Sequence, residues 1–351
     1  MQFGDNDIDQ VIRDGSLILD VRAPAEFAQG HMPGSVNIPI LNDAERRQVG
    51  ITYKHEGNAA ATALGHKLVA GDIREVRVKQ WQQFCEARPD AYICCWRGGQ
   101  RSQLAQAWLH AEGVDRPRIK GGFKALRQRC LEILQNPNKT WWILGGRTGS
   151  AKTVMIQQLP NSIDLEGAAQ HRGSAFGRRK TPQPSLVAFE NDLAGRYLRH
   201  TGDHLVVEDE SRTIGQLGLP ERWHRHMQQA PVVIVEVPAA ERIGHIKAEY
   251  VDEPLNTQSY TPGELEASFL DALSRIAKRL GGDRFATAKR HIEAAFTGAG
   301  SHEAWIEYLL REYYDPMYDY QLNKKSERIV FRGERGAVMD YLGSRHAESI
   351  A

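Results

Sequence analysis

Long apolar runs are missing from this chain: the most apolar stretches, Trp141 to Leu144 and Val232 to Val237, fall far short of the ~20 residues that a bilayer span needs. No membrane partner is expected. Cysteine is scarce. Cys85, Cys94, Cys95 and Cys130 are the only four in 351 residues and none are spaced as Cys-x-x-Cys, which argues against a disulfide framework or a zinc site and for a reducing compartment. The first ten residues are polar and acidic where a secretory leader would be basic and then apolar, so a cytoplasmic location is the expectation. Net charge is nearly absent too, with 45 Lys and Arg against 44 Asp and Glu. Any nucleic-acid partner must therefore be met by local basic clusters. The chain shows neither an internal repeat nor a low-complexity tract.

What is present is ordinary globular composition, 41% apolar and 25% charged, in a length that suggests two domains. Leu17 to Val21 and Ala91 to Cys95 read as short buried strands, and helical segments such as Ser102 to Glu112 and Phe123 to Leu134 alternate with them. This alternation predicts a parallel α/β sheet. The turn formers and proline of Gln135 to Lys139 then disfavour helix and place a boundary between domains at 1–135 and 139–351. After it the pattern restarts with a strand over Thr140 to Leu144, a helix from about Lys152, and strands near Ser162 to Leu165, His204 to Glu208 and Val232 to Val237. From Pro262 onward helix is expected, because Leu265, Phe269, Leu273, Ile276 and Leu280 line one face. Arg284 to Phe296 and His302 to Glu312 are further helix candidates.

Two phosphate-handling loops of different chemistry stand in this frame. In the first, Cys95 opens the turn Cys95-Trp96-Arg97-Gly98-Gly99-Gln100-Arg101-Ser102. Thiolate is the nucleophilic form of cysteine and needs positive surroundings. Two glycines let backbone N–H groups converge, Arg97 and Arg101 add charge, and the following helix adds its positive end. The alternative is a structural cysteine before a surface turn. Neighbouring strand residues point opposite ways, so Cys94 is expected in the core, with Cys85 and Cys130 as packing residues.

The second loop, Gly146-Arg147-Thr148-Gly149-Ser150-Ala151-Lys152-Thr153, has the P-loop pattern except that Ala151 replaces its second glycine. Gly146, Thr148, Gly149, Ser150, Lys152 and Thr153 are the expected phosphate-binding residues, using backbone N–H groups, the lysine charge and the helix N-terminus. Alanine is tolerable there if that residue is already helical. A magnesium-binding acid is expected at a neighbouring strand end, where Glu208 or Asp209 is available, although three successive acids are also what a solvated strand end looks like.

The first domain resembles a rhodanese homology domain. The landmarks are Asp20-Val21-Arg22 with Glu26-Phe27, Gly30 to Pro39, the cysteine loop, and Gly121-Gly122-Phe123-Lys124-Ala125, in that order. By that resemblance Cys95 would carry a persulfide or perselenide. Five residues separate Cys95 from Arg101, as in the rhodanese-fold phosphatases, which implies room for a larger oxyanion. With a P-loop NTPase-like domain following, and with the segments Asp164 to Gly177 and Glu208 to Gly215, the whole chain resembles the tRNA 2-selenouridine synthase family.

That resemblance implies a transferase acting on the wobble 2-thiouridine of tRNA. Geranyl diphosphate first alkylates the thio group, and selenium from selenophosphate then replaces the geranylthio group. The P-loop would bind geranyl diphosphate and the Cys95 loop selenophosphate or its selenium. No tightly bound cofactor is implied, and magnesium is left open. Glu166, His171, Arg172, Glu208, Ser211 and Arg212 are candidate substrate contacts within the matching segments. Arg178 to Lys180, Arg222 with Arg225, Lys324-Lys325 with Arg328, and the tyrosines from Tyr313 to Tyr320 are candidate RNA contacts, although such clusters also occur as solvated faces or packing. Two other readings fit parts of the chain: a rhodanese-fold phosphatase or sulfurtransferase fused to a nucleotide-binding, kinase-like domain, and a noncatalytic nucleotide sensor.

Overall fold

A computed structural model describes residues 7–348. Its packing divides the chain into two compact units, 1–136 with 184–199, and 137–183 with 200–351. The crossing at 136/137 falls inside the expected linker. One helix departs from the expected 139–351 span: Leu186–Arg199 packs with the first unit. Its apolar face, with Phe189, Leu193 and Tyr197 buried, meets the helices Ile8–Asp14 and Gly122–Gln135. Arg127 forms an ion pair with Glu190, and Asn191 donates to the His31 carbonyl at 3.0 Å.

The first unit is built on three parallel strands in the order Ser35–Asn37, Ile18–Asp20, Tyr92–Cys94. Leu19 sits opposite Val36 and Ile93. The core around Leu19, Val21, Trp81, Ile93 and Leu109 is completed by the helices Asp72–Ala87 and Gln100–Ala111. The sequence reading omitted Ser35–Asn37 and the long helical segment Asp43–Leu68, which breaks at Gly57. That segment buries only Ala61, so no apolar stripe announces it.

The second unit carries a five-stranded parallel sheet in the order Ile329–Gly333, Val232–Val235, Thr140–Gly145, His204–Glu208, Ser162–Ile163. Thr140–Gly145 lies at its centre, with Leu144 and Val233 buried beside Val206. The helix Pro262–Leu280 buries Leu265, Phe269, Leu273, Ile276 and Leu280, the face expected from their spacing. Helices follow at Gly282–Phe296 and His302–Leu309. The C-terminal region is not all helical, because Ile329–Gly333 returns to pair with Val232–Val235 at the sheet edge. Among the described residues no helix is long and apolar enough to cross a membrane.

Candidate functional sites: a cysteine loop and a phosphate loop

In the first unit the strand Tyr92–Cys94 delivers Cys95 to a tight loop capped by the helix Gln100–Ala111. The loop is locked from behind. Phe123 N–H donates to the Cys95 carbonyl and Lys124 N–H to the Trp96 carbonyl, both at 2.9 Å. A side chain on Gly122 would place its Cβ 2.3 Å from both the Cys95 carbonyl oxygen and the Gly98 nitrogen, and its φ is +62°. Beneath the loop the buried pair Asp20 and Arg22 is joined by bonds of 2.9 and 3.0 Å. The Arg22 guanidinium also lies 3.9 Å from the Phe123 ring centre.

The Cys95 thiol is 3.2 Å from Ser102 Oγ, and Ser102 in turn donates to the Gly99 carbonyl at 3.0 Å. Ser102 can reverse that hydrogen and donate to a thiolate. Arg101, in the helix's first turn, binds Glu26 through both guanidinium nitrogens. Burial works to lower the Arg101 pKa, but the Glu26 carboxylate outweighs it and the guanidinium stays charged. Arg97 is exposed on the loop. Cys94 is fully buried, and burial followed by the Asp20 charge pushes its pKa well above the ordinary range. Burial likewise raises Cys85, and takes Cys130 to about 12. These three thiols stay protonated, in keeping with core roles.

In the second unit the central strand Thr140–Gly145 ends at the phosphate loop, which leads into the helix Lys152–Gln158. Ala151 is not helical, as its tolerance was expected to require. It is left-handed at φ 60° and ψ 35°, the conformation that glycine would hold without strain. Lys152 spans the loop to the Gly146 carbonyl at 2.8 Å, and Ser150 turns inward to the Arg147 carbonyl. Thr148 offers its carbonyl to the buried Arg242 at 3.2 Å.

The carboxylates beside this loop differ from the expected pair. Glu208 is buried, accepts from Leu165 N–H at 3.0 Å, and leaves its other oxygen without a protein partner. Burial, then the Asp164 charge, raises its pKa well above the ordinary carboxylate range. Asp209 is ion-paired with Lys325. Neither presents a free carboxylate to the loop. Glu166 instead accepts from Thr153 Oγ1 at 3.2 Å and is hydrogen-bonded to Glu210. A Cβ on Gly173 would lie 2.4 Å from a Glu166 oxygen and 3.0 Å from a Glu210 oxygen, which shows how closely the two acids converge. Burial and the Glu166 charge take Glu210 to about 8, against the pull of Lys152. Two carboxyls so placed hold one proton between them.

The remaining candidates are scattered. His171 is buried with Nδ1 unbonded, and burial followed by nearby arginines keeps it neutral. Arg172 is committed to Glu249 at 2.6 Å and lies over the Tyr250 ring. Ser211 binds the Thr213 carbonyl, and Arg212 is exposed. Arg178 and Arg179 are exposed, while Lys180 bonds the Ser259 carbonyl. Arg225 pairs with Glu221, and Arg328 donates to two carbonyls. Tyr313 and Tyr314 are packed in the core, so the tyrosine run offers chiefly Tyr320 to a partner. Sequence reasoning missed the Glu166–Glu210 pairing and the fork of Arg242 on Asp315 at 2.7 and 2.8 Å. Their partners are too distant in sequence for any local signal.

Comparison with known proteins gives these sites a context. Residues 139–349 match the family described as the tRNA 2-selenouridine synthase AAA domain, and residues 5–129 match the rhodanese-like domain. A tRNA 2-selenouridine synthase from Sulfurovum sp. (strain NBC37-1) is 43% identical, covering 96% of this chain and 97% of its own. One from Cupriavidus necator is 45% identical over 95% and 96%, and one from Pseudomonas fluorescens (strain Pf0-1) is 46% identical over 93% and 94%. Both loops lie within the matched residues, and the chain belongs to the tRNA 2-selenouridine synthase family.

Proposed function

We propose that this protein is a transferase that converts 2-thiouridine at the tRNA wobble position to 2-selenouridine in two steps, one at each loop. In the first, the P-loop with Lys152 and Thr153 holds the diphosphate of geranyl diphosphate. The thio sulfur bonds to the allylic carbon, the carbon–oxygen bond breaks, diphosphate leaves, and the base gives up its N3 proton. In the second, the Cys95 loop, with Arg97 and Arg101, binds selenophosphate. Selenium bonds to the base carbon, geranylthiol departs, and water takes up the phosphoryl group. Alkylation comes first because a thioether sulfur leaves far more readily than a thiocarbonyl sulfur.

One observation carries this reading: an intact cysteine nest and an intact phosphate loop in a chain matching the selenouridine synthases from end to end. The candidate tRNA contacts that remain exposed, Arg178 and Arg179 with Tyr320, are offered to the RNA backbone and bases. Magnesium arriving with the diphosphate fits the oxygen donors Thr153, Glu166 and Glu210, since this ion keeps most of its water and takes one or two carboxylates plus phosphate. It would neutralise the leaving diphosphate. Among the described residues no group of three or more His, Cys, Asp or Glu is arranged as a preformed metal site.

The test is to incubate the protein with 2-thiouridine tRNA and geranyl diphosphate, with and without selenophosphate, and to weigh the nucleosides. Geranylthiouridine without selenophosphate and selenouridine with it are expected. Selenouridine formed without any prenyl donor would overturn the order of steps.

A further inference from the structure

The phosphate loop has an apolar neighbour that phosphate chemistry does not explain. A narrow, half-open apolar cleft begins at Thr148 and runs between Phe176, Ile246, Trp305 and Leu309. The loop touches its wall directly, because a Cβ on Gly149 would fall 2.8 Å from Ile246 Cδ1. Protein interiors are close-packed, so a carbon-lined void beside an anion cradle suggests a ligand with a charged head and a hydrocarbon tail.

Three further observations agree. Two π-helical turns, Ala248–Asp252 and Leu310–Tyr314, supply the lining residues Tyr250, Leu310 and Tyr314. Such turns are rare and recur at functional sites. The second turn runs straight into the helix Asp315–Asn323. That helix is tied to the phosphate loop by Arg147 on Asp319 and by Arg242 on Asp315, each with a 2.7 Å contact, so cavity wall and cradle are braced together. Lastly, the polar atoms available are hydroxyls: Ser174 and Tyr250 lie 3.4 Å apart, and the buried Tyr314 hydroxyl has Ser174 as its polar neighbour. A purine placed here would leave its ring nitrogens and amino group largely unmatched, whereas an alkyl chain needs no partner.

We propose that this cavity receives the hydrocarbon chain of the diphosphate substrate and sets its length, with Trp305 and Phe176 as the specificity-determining side chains. This rests on the prenyl-diphosphate reading above. The Phe176 and Trp305 rings stack at 6.0 Å and limit further extension.

Calorimetry on the full chain with inorganic diphosphate and with dimethylallyl, geranyl and farnesyl diphosphates reads chain and head group apart, independently of any alkylation. Geranyl diphosphate should bind about 100-fold more tightly than inorganic diphosphate, and about tenfold more tightly than the shorter and longer prenyl compounds. Trp305→Leu should move the optimum toward farnesyl by about tenfold, and Ile246→Phe toward dimethylallyl, with inorganic diphosphate affinity reporting in each that the loop is still folded. Equal binding of geranyl and inorganic diphosphate by the unaltered protein would overturn the proposal. So would an unchanged chain-length preference in both variants while inorganic diphosphate still binds. Chain-dependent binding without any alkylation of 2-thiouridine tRNA would uphold the cavity's role and sink the catalytic reading instead.

Discussion

The two loops share a plan, a tight turn running from a strand end into a helix N-terminus, with opposite use of the left-handed backbone. In the cysteine loop the left-handed residues are Gly98 and Gly122, and glycine is required twice over, by φ and by space. In the phosphate loop the left-handed residue before the helix is Ala151, which has room for its methyl group but carries a strain of about 1–2 kcal/mol. Their charges differ as well. Arg101 is already engaged by Glu26, whereas Lys152 rests on the Gly146 carbonyl, a neutral partner that an incoming anion displaces at little cost. The first loop has its arginine paired with a carboxylate; the second carries strain at Ala151 and a lysine bonded only to a carbonyl.

If that contrast is right, Gly122→Ala should be the most damaging single methyl group in either loop. Collision with the Cys95 carbonyl and the Gly98 nitrogen, added to the left-handed φ, should cost about 3–4 kcal/mol. Hydrogen exchange of the amides over residues 93–124 should then quicken by roughly 100-fold or more. Undiminished protection would mean the loop is not locked from behind.

Next comes Lys152→Ala. Loss of a charged hydrogen bond of about 2–3 kcal/mol should weaken diphosphate binding roughly 30- to 150-fold while leaving the rate of Cys95 modification by iodoacetamide unchanged. A parallel fall in both would show that the loops are not independent.

A smaller effect follows from the proton shared by Glu166 and Glu210. Glu210 titrates near 8 in the folded chain and near 4.3 when unfolded, so between those values the folded state holds a proton that the unfolded state has released. Stability therefore declines as pH rises through that window. The same deprotonation places a second negative charge beside the phosphate loop. Diphosphate affinity measured without magnesium should fall by up to about tenfold as pH rises through 8. Glu210→Gln should flatten that profile, and a drop that persists in the variant would assign the titration elsewhere.

The smallest effect separates the loops most cleanly. Ala151→Gly relieves the strained φ without creating a contact, and should raise the denaturation midpoint of the second unit by about 1 kcal/mol in equivalent stability. A destabilised variant would mean that Ala151's methyl group packs usefully.

What could be read from the sequence followed from local physics. The five apolar residues from Leu265 to Leu280 share a helical face, and the buried strands Thr140–Gly145 and Val232–Val235 are short β-branched or aromatic runs. Both loops announce themselves within eight residues. The edge strand Ile329–Gly333 was hidden because its exposure alternates and its partner lies about 100 residues earlier. Glu208 looked like a metal acid from its strand-end position, yet only tertiary packing shows it buried on Leu165 N–H, with Glu166 bonded to Thr153 and Glu210 bonded to Glu166. Ala151 was misjudged for a related reason, since residue type does not reveal φ. The cavity draws its wall from four separate stretches of chain, and periodicity within one stretch cannot disclose a void shared among four.

Division of labour between the loops is tested most directly by crossing two variants with two RNA substrates and weighing the nucleosides. Cys95→Ser given 2-thiouridine tRNA, geranyl diphosphate and selenophosphate should stop at geranylthiouridine. Lys152→Ala should leave 2-thiouridine unaltered, yet convert RNA that already carries geranylthiouridine to selenouridine at close to the unmodified protein's rate. Selenouridine formation by Cys95→Ser, or failure of Lys152→Ala on the pre-geranylated RNA, would contradict the account.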